Sequence, residues 1–254
     1  MNISARHYVV FGATGNSGQE LVPLLLKAGH SVRAFVRSPA KVRFTHQRLE
    51  VITGDITDTM AVRNAIRGTD GVISLVGGPL HDKSYQGGLL LPFIKAVHRG
   101  MQKHNVKQLL LQSGAAAIAK DEGFNFFKNI IIDKIVSRLN GEHGVHIDNN
   151  LALNYLENEA DDVDWIVTRP PVLVDQPNTG KEVIALEKLP WPPVSSFRDQ
   201  AIYSLAALSN DDLIKTSKYC GYPLASKIHP PSIAGYVLFG LTLIMCGLLY
   251  LGLG

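Results

Sequence analysis

Cysteine is nearly absent from this chain. There are two, Cys220 and Cys246, and the second stands inside an apolar stretch. That argues against a disulfide framework and for a reducing compartment. Concentrated positive charge is missing as well. Lys and Arg number 25 against 22 Asp and Glu, the formal net charge is +3, and the basic residues are scattered. Such a distribution offers no basic patch, so no nucleic-acid partner is expected. No Cys/His/Asp spacing resembles a metal site, so no metal is expected. No apolar signal region precedes the first strand, so Sec-type export is not expected. Internal repeats and low-complexity blocks are lacking, and no charged residue follows Lys227.

What remains is an ordinary globular balance over 254 residues, 46% hydrophobic and 19% charged. Strand and helix patterns alternate, which points to a parallel sheet covered on both faces. Strands are expected at residues 8–11, 32–36, 49–53, 71–76, 106–112 and 162–168, rich in Val, Ile and Leu as buried parallel strands are. Helices are expected at residues 17–28, 60–66, 89–102, 151–159 and 197–208, with Gly29 stopping the first. The fold class is therefore α/β, a Rossmann-type doubly wound sheet. Residues 124–146 are ambiguous. Phe126, Phe127, Ile130, Ile131, Ile132, Ile135 and Val136 suggest a helix, and residues 141–146 a loop. This stretch is either a packing helix or a substrate lid above the carboxyl edge of the sheet.

Gly12-Ala13-Thr14-Gly15-Asn16-Ser17-Gly18 follows the first expected strand and opens the first expected helix. That context makes it a phosphate loop. Gly12 permits a tight turn, Gly15 lets backbone approach a pyrophosphate, and Gly18 lets helix pack on sheet. Free N–H groups of Asn16, Ser17 and Gly18 and the positive end of the helix dipole then face the phosphates, with Thr14 in the same turn. The second strand ends on Arg37 and Ser38 where an NAD enzyme places an acidic residue. A guanidinium suits a 2′-phosphate instead, so NADP(H) is the expected cofactor. Asp55 either hydrogen-bonds the adenine amino group, with Ile56 packed on the ring, or caps the helix near Met60.

These residues resemble the atypical short-chain dehydrogenase/reductases, in the NmrA-like and flavin/biliverdin-reductase-like branch. The resemblance rests on the glycine loop, Val36-Arg37, Gly54-Asp55, Val76-Gly77-Gly78, Gln112-Ser113-Gly114 and Asp164-Trp165-Ile166-Val167-Thr168-Arg169-Pro170, in the branch's order. It implies an NADP-binding core with Val76, Gly77 and Ser113 lining the nicotinamide side. One departure matters. The larger family reduces ketones with a tyrosine four residues before a lysine. Here Tyr155 is followed at that place by Glu159, Tyr222 by Ser226, and no tyrosine has the partner. Ser113 and Tyr155 are then the candidate catalytic residues, Ser113 having a strand-end cap as its alternative role. His81, Tyr85, His146 and Asn150 are further polar groups near the expected cleft. Arg169-Pro170-Pro171 is expected to shape the chain rather than perform chemistry.

Residues 232–254 carry no charge and are long enough to cross a bilayer core as a helix. Tyr236 and Tyr250 lie near its ends, where an aromatic belt places them. The expected organisation is an NAD(P)-binding domain at 1–225, a linker at 226–231 and a transmembrane tail anchor at 232–254. The catalytic domain would face the cytosol, with the endoplasmic reticulum favoured over the mitochondrial outer membrane. A buried or dimer-forming helix is the alternative for the tail. Three functions fit: an NADPH-dependent reductase of an apolar small molecule at a membrane; a non-redox isomerase, cyclase or dehydratase; or an NADP-sensing regulator with a protein partner.

Overall fold

The structure is a computed structural model, described here for residues 4–79, 82–120, 122–123, 137–177, 179–190 and 193–223. Its elements run β1 (His7–Phe11), α1 (Asn16–Lys27), β2 (Ser31–Val36), β3 (Leu49–Thr53), α2 (Thr59–Ala65), β4 (Gly71–Ser74), α3 (Leu90–His104), β5 (Gln108–Gln112), α4 (Ser137–Asn140), α5 (His143–Glu159), β6 (Asp164–Arg169), β7 (Val172–Val174), β8 (Ile184–Leu186), β9 (Val194–Ser196), α6 (Phe197–Ala207) and β10 (Thr216–Gly221). Eight strands form one sheet in the order β3-β2-β1-β4-β5-β6-β10-β8. All neighbours pair in parallel except β8, which lies antiparallel on β10. β7 and β9 make a separate parallel pair.

Successive strand residues point to opposite faces, and both faces are covered, so nearly every central-strand residue is apolar. Val9, Phe11, Leu109, Leu111 and Val167 pack beneath α2, α3 and α5 with Phe93, Ile94, Val97 and Leu153. Val10, Val32, Ala34, Ile73, Leu110 and Ile166 pack on the other face beneath α1 and α6 with Leu21 and Leu25. Phe11 is central to the first cluster, its ring 5.1 Å from both Phe35 and Phe93. Truncating such a fully buried phenylalanine to alanine costs about 3–5 kcal/mol. At the end of α1, Gly29 adopts φ 97° while the amides of Gly29 and His30 donate to the Leu26 and Leu25 carbonyls. A β-carbon there would be strained, which is why the helix stops at this glycine.

The order in which strands are added reverses between β1 and β4, and that switch point opens a crevice at the carboxyl ends of the strands. The sheet differs from expectation at its far side. β8 and β9 have only three residues each, and β9 and β10 carry polar residues such as Ser195, Ser196, Ser217 and Lys218, so none has the long apolar run that marks a buried strand. β4 stops at Ser74 rather than Val76, because the chain beyond turns onto the crevice edge. β6 starts at Asp164 rather than at 162, because Asp162 is held by His98. The expected loop at 141–146 is replaced from His143 onward by the first turn of α5. Residues 124–136 and the tail at 232–254 lie outside the described residues. Among the described residues no helix is long and apolar enough to cross a membrane.

Candidate dinucleotide and substrate site

The phosphate loop is built by close packing. Gly12 has φ 83°, and a β-carbon on it would lie 2.7 Å from the carbonyl oxygen of Leu75, just past β4 across the switch point. Gly15 donates its N–H to the Gly12 carbonyl at 3.0 Å, closing the turn. A β-carbon on Gly18 would stand 2.3 Å from that same carbonyl oxygen, so only glycine lets α1 approach the loop so closely. Gly15 is different. Its β-carbon would meet nothing nearer than 3.4 Å, and the residue is exposed, leaving room for a ligand rather than for packing. Gly15 caps α1 without a side chain, and the first turn holds no acidic residue. The N–H groups of Asn16, Ser17 and Gly18 therefore meet the crevice at the positive end of the helix. Gln19 holds the Thr14 carbonyl from below at 3.1 Å.

At the outer end of the crevice, Arg37 follows β2 with its side chain exposed, and it makes no hydrogen bond or ion pair among the described residues. Ser38 caps the short 3-10 turn Pro39–Lys41 through backbone alone. Asp55 accepts hydrogen bonds from the Thr57 amide at 2.8 Å and the Thr57 hydroxyl at 2.7 Å. Those bonds hold its carboxyl below the usual range, and the positive charge of Arg37 adds to them. The alternative role of Asp55 as helix cap is overturned. Asp58 is the cap of α2, accepting from Met60 at 2.9 Å and Ala61 at 3.0 Å. Ile56 is half-buried against the core.

The inner end lies beyond β4 and β5. Val76 packs partly on the core, while Gly77 is exposed with nothing within 4 Å of an added β-carbon. Ser113 is fixed by its amide, which donates to the Thr168 carbonyl at 2.9 Å. Its hydroxyl is buried and has no hydrogen-bond partner. Beside it, a β-carbon on Gly114 would lie 3.7 Å from the Asn149 amide nitrogen of α5. Three buried groups hold these elements in place. Asp148, fully buried, accepts from the Gly88 amide at 2.7 Å, the Leu89 amide at 3.2 Å and the Tyr85 hydroxyl, latching α5 to the segment before α3. Burial and the Asp148 hydrogen bond push the Tyr85 hydroxyl well up. Asn150 accepts the Ile118 amide at 2.8 Å. Arg169 donates to the Ala117 and Ser217 carbonyls, each at 2.9 Å, pairs with Glu122 at 2.5 Å and stacks on Tyr219 at 4.0 Å. Arg169 thus ties the loop after Ser113 to β6 and β10, as its expected shaping role requires.

A profile of the NAD(P)H-binding family matches residues 12–200, from the first glycine of the loop into α6. The chain belongs to the NAD(P)H-binding family. Curated relatives of it are oxidoreductases. Tetraketide alpha-pyrone reductase 2 of Arabidopsis thaliana is 32% identical over 127 residues, 44% of this chain and 40% of that protein. A 3-beta-hydroxysteroid dehydrogenase of Mycolicibacterium neoaurum is 26% identical over 162 residues, 54% of this chain and 44% of that protein. The chain spans less than half the length of these relatives. Among solved structures, an anaerobillin reductase from Escherichia coli superposes with a TM-score of 0.66 at 21% identity, covering 89% of this chain and all of that one. A short-chain dehydrogenase/reductase of Veillonella parvula, solved with NADP, gives 0.65 at 16% identity over 89% of this chain and 99% of that one. Those two likenesses are of fold. The Rossmann architecture and the NAD(P)H-binding domain expected from the motifs are borne out at this level.

Within this NAD(P)H-binding chain the predicted residues fall into two places. Gly12, Thr14, Gly15, Asn16, Ser17, Gly18, Arg37, Ser38, Asp55, Ile56, Val76, Gly77 and Ser113 all stand on the carboxyl edge of the sheet. Tyr155 does not. Its hydroxyl meets His98 Nδ1 at 2.9 Å, and His98 Nε2 meets Asp162 at 2.7 Å. Asp162 lies two residues before β6, so this chain of contacts sits toward the amino edge, away from Ser113. Burial raises the Tyr155 hydroxyl, outweighing the opposing charge of Arg99. His146 is buried in the first turn of α5, and His81 lies outside the described residues. Asp148, Asn149 and Gln112 were given no role from sequence. The signal for the first two was their spacing on the opening turns of α5, hidden because that helix begins earlier than its apolar pattern does.

Proposed function

We propose that the protein is an NADP(H)-dependent reductase of an apolar small molecule, working without the Tyr-x-x-x-Lys pair. The observation that carries this reading is the buried, unpartnered Ser113 hydroxyl at the inner end of the crevice, on the far side of the switch point from the phosphate loop. An unsatisfied buried hydroxyl is costly unless a ligand completes it. The glycine loop fits a pyrophosphate, for the reasons given, and the free guanidinium of Arg37 fits a 2′-phosphate. When bound, reduced nicotinamide supplies a hydride to an electrophilic carbon of the substrate. Ser113 donates a hydrogen bond to the oxygen on which charge develops, and the Asn149 amide, in the same neighbourhood, offers a second donor. With Tyr155 held at the other edge, the proton that completes the reduction comes from solvent.

The anchor formed by residues 232–254 belongs to the same proposal. It would bring the crevice to a membrane that dissolves the apolar substrate, with the domain at 1–225 on the cytosolic side. The test is NADPH oxidation, followed optically, with quinones, flavins and apolar carbonyl compounds as acceptors. Turnover is expected with at least one class. Ser113→Ala should lower it on the order of a hundredfold while leaving the affinity for NADPH nearly unchanged. Unchanged turnover would return Ser113 to a structural role. No oxidation with any acceptor, in a protein that binds NADPH, would favour the non-redox enzyme or the NADP-sensing regulator.

A further inference from the structure

Gln112 is the last residue of β5, next to Ser113. In an extended strand such neighbours point to opposite faces. Ser113 faces α5, and Gln112 faces α1, where its side-chain amide Nε2 donates to the Ser17 hydroxyl oxygen at 2.8 Å. Ser17 is the second residue of α1, in the turn that opens on the pyrophosphate position. A hydroxyl has one proton and two lone pairs. The amide of Gln112 takes a lone pair, so the proton of Ser17 must find its acceptor elsewhere. Among the described residues none is offered, and the first turn contains no carboxylate. A phosphate oxygen approaching over Gly15 is the acceptor this arrangement lacks, and a bond of that kind is charge-assisted.

We propose that Gln112 is a positioning residue that turns the Ser17 proton outward to the cofactor pyrophosphate. One strand end then serves both halves of the crevice, the phosphates through Gln112 and the reacting oxygen through Ser113. This inference rests on the pyrophosphate lying at the start of α1. If Gln112 merely tied helix to sheet, its loss would lower thermal stability and weaken every ligand alike. An orienting role predicts selectivity between ligands and dependence on the sign of the hydrogen bond.

The experiment compares NADP with adenosine 2′-monophosphate, which lacks a pyrophosphate, by calorimetry on the full-length chain. Gln112→Glu replaces the donor by a carboxylate, so the Ser17 proton turns inward and a like charge is added near the phosphates. NADP should bind about a hundredfold more weakly, with adenosine 2′-monophosphate unaffected. Gln112→Leu leaves the hydroxyl unoriented and should cost NADP about three- to tenfold. In a Ser17→Ala background Gln112→Leu should have no further effect, because the two residues act as one unit. The inference is overturned if Gln112→Glu binds NADP as the parent does, if both ligands weaken together, or if the Gln112→Leu effect persists without Ser17. Should the parent itself fail to bind NADP, the cofactor reading falls and this one with it. Parent binding with unaltered variants removes only the role of Gln112.

Discussion

Arg37 occupies the position that decides between the two dinucleotides, and it does so as an exposed cation with no ion pair among the described residues. Asp55, whose carboxyl feels that charge, is already occupied by Thr57. A guanidinium free of partners can meet a 2′-phosphate with two parallel hydrogen bonds. Arg37→Asp should therefore reverse the cofactor preference, lowering NADP affinity by about ten- to a hundredfold while NAD gains through its ribose hydroxyls. Calorimetric titration of parent and variant with both cofactors checks this, and equal affinities in the parent would remove Arg37 from the argument. The neighbouring Asp55 shows how far residue-level reading reached. Its placement at the end of β3 was legible, but its alternative as a helix cap was not decided by sequence. Asp55 and Asp58 both precede α2, and only the backbone geometry assigns the cap to Asp58.

Among the elements, β5, α5 and the segment before α3 enclose the inner crevice, and buried polar side chains hold them together. Asp148 is the most committed of these. Asp148→Ala would leave the Gly88 and Leu89 amides and the Tyr85 hydroxyl unpaired, a loss on the order of 3 kcal/mol. That corresponds to a fall in Tm of about 5–10 °C, measurable by thermal unfolding followed by circular dichroism, with a parallel drop in turnover as α5 loosens over Ser113. A variant as stable as the parent would mean that packing, not this carboxylate, sets the position of α5. The central strands β1, β2, β4, β5 and β6 and the helices α1 and α3 were legible because burial on both faces demands apolar strands and striped helices. The small strands β8 to β10 were not. β8 and β10 lie at the sheet margin, where Lys218 reaches solvent to pair with Glu187 at 2.8 Å, β9 pairs apart with β7, and none has a long apolar run. The amino half of α5 was missed for a related reason. Asp148 and Asn150 spend their polarity on latching neighbouring loops, and with His143, His146 and Asn149 they give the stretch the composition of a loop.

For the whole molecule, the doubly wound topology places every cofactor-contacting candidate on one edge, while the Tyr155–His98–Asp162 contacts stabilise the other. Among the described residues the sheet ends its chain order at β10, and Tyr222 just beyond it packs on the core. Deleting residues 232–254 should accordingly yield a folded domain that still binds NADP, whereas the full-length chain should resist extraction from membranes by alkaline carbonate. Extraction of the full-length chain, or unfolding of the shortened one, would assign the apolar tail to the globular core or to a dimer interface.

The central claim is that one crevice binds NADP with its pyrophosphate on α1 and its nicotinamide at Ser113. A crystal structure of the protein with NADP tests it most directly. The account predicts pyrophosphate density over Gly15 within hydrogen-bond distance of the Ser17 hydroxyl, the 2′-phosphate against Arg37, and the nicotinamide ring beside Gly77 and Ser113. Density for the cofactor elsewhere, or a nicotinamide ring turned away from Ser113, would contradict it.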